Sequence, residues 1–120
     1  MQLGDGLPGG DDSMKERANW DKETADRYNQ ELDRCLGLAV QEFRTANGLT
    51  QGELAKAAVM SVRWLKKLEA NQLTTAYSIR RIDRIACALG VPIYDLFKRA
   101  TEMAGPLPPW LDQEGAEGDE

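Results

Sequence analysis

Apolar side chains recur at helical spacing from about Asn19 to Ala46: Trp20, Tyr28, Leu32, Cys35, Leu36, Ala39, Val40 and Phe43. Either Asn19 or Asp21 caps this stretch, with acids in its first turn. Its length suits one long helix, or two with a break near residues 30–37. Gly37 marks either that junction or a close contact with a neighbouring helix. Asn47-Gly48 ends the pattern, as Asn or Gly commonly does at a helix C-terminus. Thr50 followed by Glu53 is a capping box, and opens a short helix, Gln51 to Ala58, that turns Leu54 and Ala55 inward. After a break at Val59-Met60, Ser61 caps a helix running to about Ala70. Its inner stripe is Leu65 and Leu68, with Val62 or Trp64 at an edge. Residues 71–77 read as a loop. Ser78 caps a further helix with Ile79, Ile82, Ile85, Ala86 and Leu89 on one core-facing stripe, closed by Gly90. Pro92 suits the first turn of a last short helix through Ile93, Leu96 and Phe97. No segment alternates with period two over a useful length, so the predicted fold is all-α.

The ends differ from this middle. Residues 1–14 are rich in Gly and Asp and too poor in apolar side chains to fold, so disorder is expected there. Residues 15–35 form an N-terminal helical extension, residues 36–100 the main helical domain, and residues 101–120 a tail. "GPLPPWL" within the tail cannot continue a helix, and "DQEGAEGDE" is acidic and expected to be disordered.

Composition removes several classes of function. At 120 residues one domain is expected. No apolar run approaches the roughly 20 residues that span a bilayer, and the N-terminus has no apolar signal core, so a soluble intracellular protein is expected. There is no histidine, the commonest general base and transition-metal ligand. Cys35 and Cys87 sit in apolar helical patterns and are expected as buried free thiols. Without histidine they make no zinc site. No nucleophile–base pair, phosphate loop or metal cluster stands out, so neither an enzyme nor a cofactor is expected.

Charge changes the picture most. The formal net charge is -5. Residues 1–35 carry five cations and nine anions, residues 36–100 ten cations and five anions, and residues 101–120 six anions alone. The protein is therefore a basic centre between acidic ends. Within that centre Arg63, Lys66 and Lys67 crowd onto one short amphipathic helix. Two short helices joined by a tight turn, the second amphipathic and basic, form a helix-turn-helix signature. In such a motif the second helix enters the DNA major groove. Its outer face here is Val62, Arg63, Lys66 and Lys67, opposite Leu65 and Leu68. Arg63 and Lys67 lie one turn apart and point the same way. Arginine has the fork to pair with guanine, and lysine reaches guanine acceptors or phosphates. Gln51 and Ser61 sit at helix starts, where backbone donors can hold phosphate. Arg80, Arg81 and Arg84 are either a solvated face or phosphate contacts.

From Leu36 to Phe97 the chain resembles the Cro/lambda-repressor-like, or Xre-type, helix-turn-helix family. The matching features are Leu36-Gly37, Val40, Phe43-Arg44, "GLTQGELA" at Gly48 to Ala55, Ser61, Leu65, Leu68-Glu69 and "IACALGVPIYDLF" at Ile85 to Phe97. The resemblance implies a five-helix DNA-binding domain, here with an extra N-terminal helical segment and disordered ends. It implies a homodimer on double-stranded DNA at a near-palindromic site, and a cytoplasmic, nucleoid-associated protein of bacterial or phage type. It further implies an Arg44–Glu69 ion pair tying the recognition helix to the scaffold, a phosphate contact from Gln51, base reading by Val62, Arg63 and Lys67, and a backbone contact from Lys66. Three features depart from the family pattern. Val59 stands at the turn position usually held by Gly, Trp64 where a small polar residue is common, and the loop at 71–77 is about two residues longer than usual.

The expected function is a sequence-specific transcriptional regulator, acting as a repressor. The alternative is an antitoxin or adaptor that keeps the fold and holds a protein partner. Two segments could serve it. The Trp20–Leu32 helix is either added core or a dimer or partner surface, and "PLPPWL" is either a docking peptide or a strap closing the domain.

Overall fold

The computed structural model describes residues 12–73 and 77–105, and side chains from Lys15 onward. Expectations for the first 11 residues, the centre of the 71–77 loop and the proline and acidic segments after Gly105 fall outside these residues. Among the described residues six helices are present in order: α1 Asp12–Arg17, α2 Lys22–Ala46, α3 Gln51–Ala57, α4 Val62–Glu69, α5 Ile79–Leu89 and α6 Ile93–Ala104. No strand occurs among the described residues. Helix α2 is the spine. It packs along α6, touches α4 and α5, and α3 and α5 close the core from the other side.

The N-terminal caps follow the sequence. The Asp21 side chain accepts the Thr24 N–H at 2.8 Å, and this bond holds its carboxyl below the ordinary range. Thr50 and Glu53 form the reciprocal box, at 3.0 and 2.9 Å. Ser61 and Ser78 cap α4 and α5. Each such cap contributes about 1 kcal/mol to its helix.

The C-terminal ends share one device. In α2, Leu49 N–H reaches Arg44 O and Gly48 N–H reaches Thr45 O. The same pair of bonds recurs as Met60 to Ala55 with Val59 to Lys56, Gln72 to Lys67 with Asn71 to Leu68, and Val91 to Ala86 with Gly90 to Cys87. Each is a Schellman closure, which needs a left-handed residue just past the helix. That residue is Gly48, Val59, Asn71 or Gly90, with φ of 69°, 56°, 55° and 75°.

The core joins Tyr28, Cys35, Leu36, Ala39 and Val40 of α2 to Leu54, Leu65, Leu68, Ile82, Ile85 and Leu96 from α3, α4, α5 and α6. Gly37 resolves the ambiguity of α2. The helix runs unbroken through it, and its bare face lies on the C-terminus of α4. A Cβ there would overlap the Leu68 carbonyl oxygen and sit 3.3 Å from Glu69 Cα.

Four expectations are corrected, and the apolar face of the Trp20–Leu32 segment, left open by the sequence, is placed. Residues 12–17 are helical, where disorder was expected through residue 14. A six-residue helix does not hold itself; this one is anchored because Arg17 lies 4.6 Å over the Tyr28 ring and 5.2 Å over that of Trp20. The last helix extends to Ala104, beyond the tail boundary expected at residue 101, because Ala100 and Ala104 bury against the core. The Trp20–Leu32 segment spends its apolar face on that core. Tyr28 is buried and its hydroxyl donates to Gly105 O, while Trp20 and Leu32 pack alongside. Ile79 is 71% exposed, because side chains tilt back past the first turn of a helix. Cys87 is exposed on the outer face of α5 beside Asp83, while Cys35 is buried.

Gly37→Ala is therefore expected to cost about 1–3 kcal/mol, as overpacking does, since backbone rather than a flexible side chain must move. Urea unfolding against wild type measures it. A change near zero would show that α2 and α4 part freely.

Candidate nucleic-acid interface

Helices α3 and α4 are joined by Ala58–Ser61, and this turn sets where α4 points. Val59 adopts a left-handed conformation that favours glycine, although it is β-branched and 76% exposed. The conformation costs a non-glycine residue about 1–2 kcal/mol. The turn is thus retained with strain rather than altered. The Schellman bonds and Met60, which packs against the core, over-determine it.

At the other end of α4, Glu69 is buried and its carboxylate is shared. Arg44 Nε donates to Oε2 at 2.8 Å, and the Arg44 NH2 group donates to Oε1 at 2.9 Å. Gln51 Nε2 donates to the same Oε1 at 3.0 Å. Arg44 NH1 donates to Leu49 O at 2.9 Å. Arg44 and Glu69 side chains are only 12% and 4% exposed. Gln51, expected at phosphate, thus has its side chain turned onto Glu69, leaving one amide N–H and its oxygen for other partners.

The outer face of α4 is fixed by these two ends. Leu65 and Leu68 are buried, and Val62, Arg63 and Lys66 are exposed, with Lys67 partly so. Ser61 Oγ accepts the Trp64 N–H at 3.1 Å, so this hydroxyl can offer phosphate only its own proton. Trp64 packs its ring against the core edge, and the Arg81 guanidinium lies over that ring, 5.0 Å from its centroid. This contact joins α5 to α4 and is invisible in the sequence, because it spans the 71–77 loop. Arg80 and Arg84 are exposed on α5. The first turn of α5 holds Arg80 and Arg81 and no acid, against the sense of the helix dipole.

The 71–77 loop is tied back at its end. Tyr77 donates its hydroxyl to Asp33 Oδ1 on α2 at 2.8 Å. Burial and that hydrogen bond push the phenol far above its ordinary range.

Ion pairing divides the cations in two. Arg34, Arg44 and Arg99 of α2 and α6 pair with Glu31, Glu69 and Glu42. Among the described residues no carboxylate lies within ion-pair reach of Lys56, Arg63, Lys66, Lys67, Arg80, Arg81 or Arg84. These seven all belong to α3, α4 and α5; elsewhere Lys15 and Lys98 are also without an ion pair among the described residues.

The family model that matches residues 40–96 describes a helix-turn-helix. Similar solved structures include the clp gene regulator ClgR from Corynebacterium glutamicum, 27% identical with a TM-score of 0.56, over 73% of this chain and 84% of that one. The hypothetical transcription factor NHTF from Neisseria is also 27% identical, with a TM-score of 0.51, over 71% and 83%. The SinR–SinI protein complex aligns at 22% identity and a TM-score of 0.51, over 69% and 77%, which speaks for the fold alone. No curated protein matches the chain.

Two outcomes are expected for the frame of α4. Glu69→Ala leaves the Arg44 guanidinium buried and unpaired, and is expected to cost about 3–5 kcal/mol in urea unfolding. Val59→Gly removes the turn strain and is expected to stabilise by about 1 kcal/mol, after the loss to glycine flexibility. Equal or lower stability of the glycine variant would mean that Val59 makes compensating contacts.

Proposed function

We propose that residues 40–96, which match a helix-turn-helix family model, form the DNA-binding domain of a transcriptional regulator, and that the chain is a sequence-specific repressor. It binds as a homodimer, one α4 in each half-site, and blocks transcription by occupancy. One observation carries this reading. The cations of α3, α4 and α5 are left without carboxylates among the described residues, while Lys22, Arg34, Arg44 and Arg99 of the scaffold helices are paired. An unpaired basic face on a rigid amphipathic helix suits a polyanion that supplies the missing charges.

Roles follow from position. Val62, Arg63 and Lys67 read base edges from the outer face of α4. Lys66, Ser61, Gln51, Arg80 and Arg81 hold the backbone, which sets register without reading sequence. A single domain presents one such helix, and a pair related by a two-fold axis covers a near-palindrome. The acidic residues at the chain ends, nine in 1–35 and six in 101–120, repel DNA and lower non-specific affinity. The place of action is the cytoplasm, on the nucleoid.

The test is sequencing of genomic fragments retained by the purified protein at physiological salt, beside the Arg63→Ala, Lys67→Ala double variant. A shared inverted motif that the variant loses is expected. Each lost base contact should cost on the order of 1–3 kcal/mol, and affinity should fall steeply with salt. Sequence preference that survives both changes would remove these residues from base reading. No enrichment by the wild type would end the DNA reading itself.

A further inference from the structure

We infer that Trp64 is a positioning residue for DNA binding, acting through Arg81. The inference rests on the reading that the basic face engages DNA. Arg81 leaves α5 and crosses to α4, where its guanidinium lies over the Trp64 indole. The separation of 5.0 Å is within the range of about 6 Å at which a cation is held by an aromatic face. Among the described residues no carboxylate competes for that guanidinium. The ring is therefore its partner, and a guanidinium seated on a ring keeps the N–H groups of its rim free to donate.

Trp64 is well placed for this task. It is partly buried at the edge of the core, so its own orientation is fixed by packing. Its backbone N–H is held by the Ser61 cap. Lys67 follows three positions on, along the same side of α4. Stacking thus seats a cation of α5 on α4 itself, on the residue three positions before Lys67. The indole supplies the attraction that keeps Arg81 there. An arginine already confined loses less freedom when it meets a phosphate, and so binds it more tightly. The effect also makes α4 and α5 grip one stretch of backbone as a unit, although the longer loop at 71–77 separates them in sequence.

A double-mutant cycle tests this. The full chain, Trp64→Leu, Arg81→Ala and the double variant are titrated onto a random-sequence DNA duplex at several salt concentrations, with thermal melting alongside. Trp64→Phe keeps an aromatic face, and Trp64→Met fills the space without one should the leucine variant fail to fold. Arg81→Ala is expected to weaken binding and reduce the salt slope by about one. Trp64→Leu or Trp64→Met is expected to lose about two- to fivefold in affinity, the worth of an exposed cation–π contact. In the Arg81→Ala background the same change should lose nothing further, and Trp64→Phe should retain most of the affinity. Losses that multiply independently would overturn the inference and make Trp64 a packing residue or a contact in its own right. A wild-type chain that shows no salt-dependent binding would overturn the DNA reading first, and this inference with it.

Discussion

The Glu69 carboxylate fixes α4 to the rest of the molecule. It closes α4, accepts two hydrogen bonds from Arg44 of α2 and one from Gln51 of α3, and is almost fully buried. Arg44 spends a further arm on Leu49 O in the link between α2 and α3. Three helices and a connection therefore meet at one residue. A buried pair of this kind adds little net stability, because the gain is offset by desolvation, but breaking it is expensive. Here it sets an orientation. The bare face of Gly37 acts on the same two residues by the opposite means, admitting the Leu68–Glu69 backbone where a side chain would exclude it. Attraction and absence of bulk together define the depth and angle of α4.

The charges follow the same division of labour. On α2 and α6 most cations meet a carboxylate of the same two helices or of α4, as in the Arg99–Glu42 pair at 2.7 Å. Surface pairs of this kind are worth less than about 1 kcal/mol, so their effect is mainly to cancel field on that side. On α3, α4 and α5 the cations stand without carboxylates among the described residues. A net charge of -5 thus coexists with a concentrated positive face. The total describes solubility, and the partition describes the partner.

Most of the helical scaffold was legible because it rests on local rules. Caps at Asp21, Thr50, Ser61 and Ser78 and the inner stripes of α4 and α5 follow from spacing and side-chain chemistry. What escaped depends on contacts between elements that periodicity does not encode. Helix α1 exists because Arg17 finds the rings of Trp20 and Tyr28. The extension of α6 depends on α2, and the Gly105 carbonyl meets the Tyr28 hydroxyl 77 residues away. Ile79 and Cys87 show the limit of periodicity itself, which gives a direction around the helix but not what lies opposite. At the interface, the outer face of α4 was legible from its stripe. The turn of Gln51 onto Glu69 and the seat of Arg81 on Trp64 were not, since both cross between helices.

Helix α4 has eight residues, too few to persist alone. Its existence is imposed from outside, by the Ser61 cap, the Schellman closure at Asn71, the Glu69 network and two buried leucines. That explains why strain at Val59 is tolerable. The turn is one of several constraints acting on α4, and their sum exceeds a local cost of about 1–2 kcal/mol. A short helix held from both ends also keeps its outer side chains in one geometry before any partner arrives. Ordering costs that would otherwise fall on binding are met during folding. An eight-residue helix can therefore present its outer face on a backbone as rigid as that of a much longer one, provided that its ends, and not its own propensity, hold it.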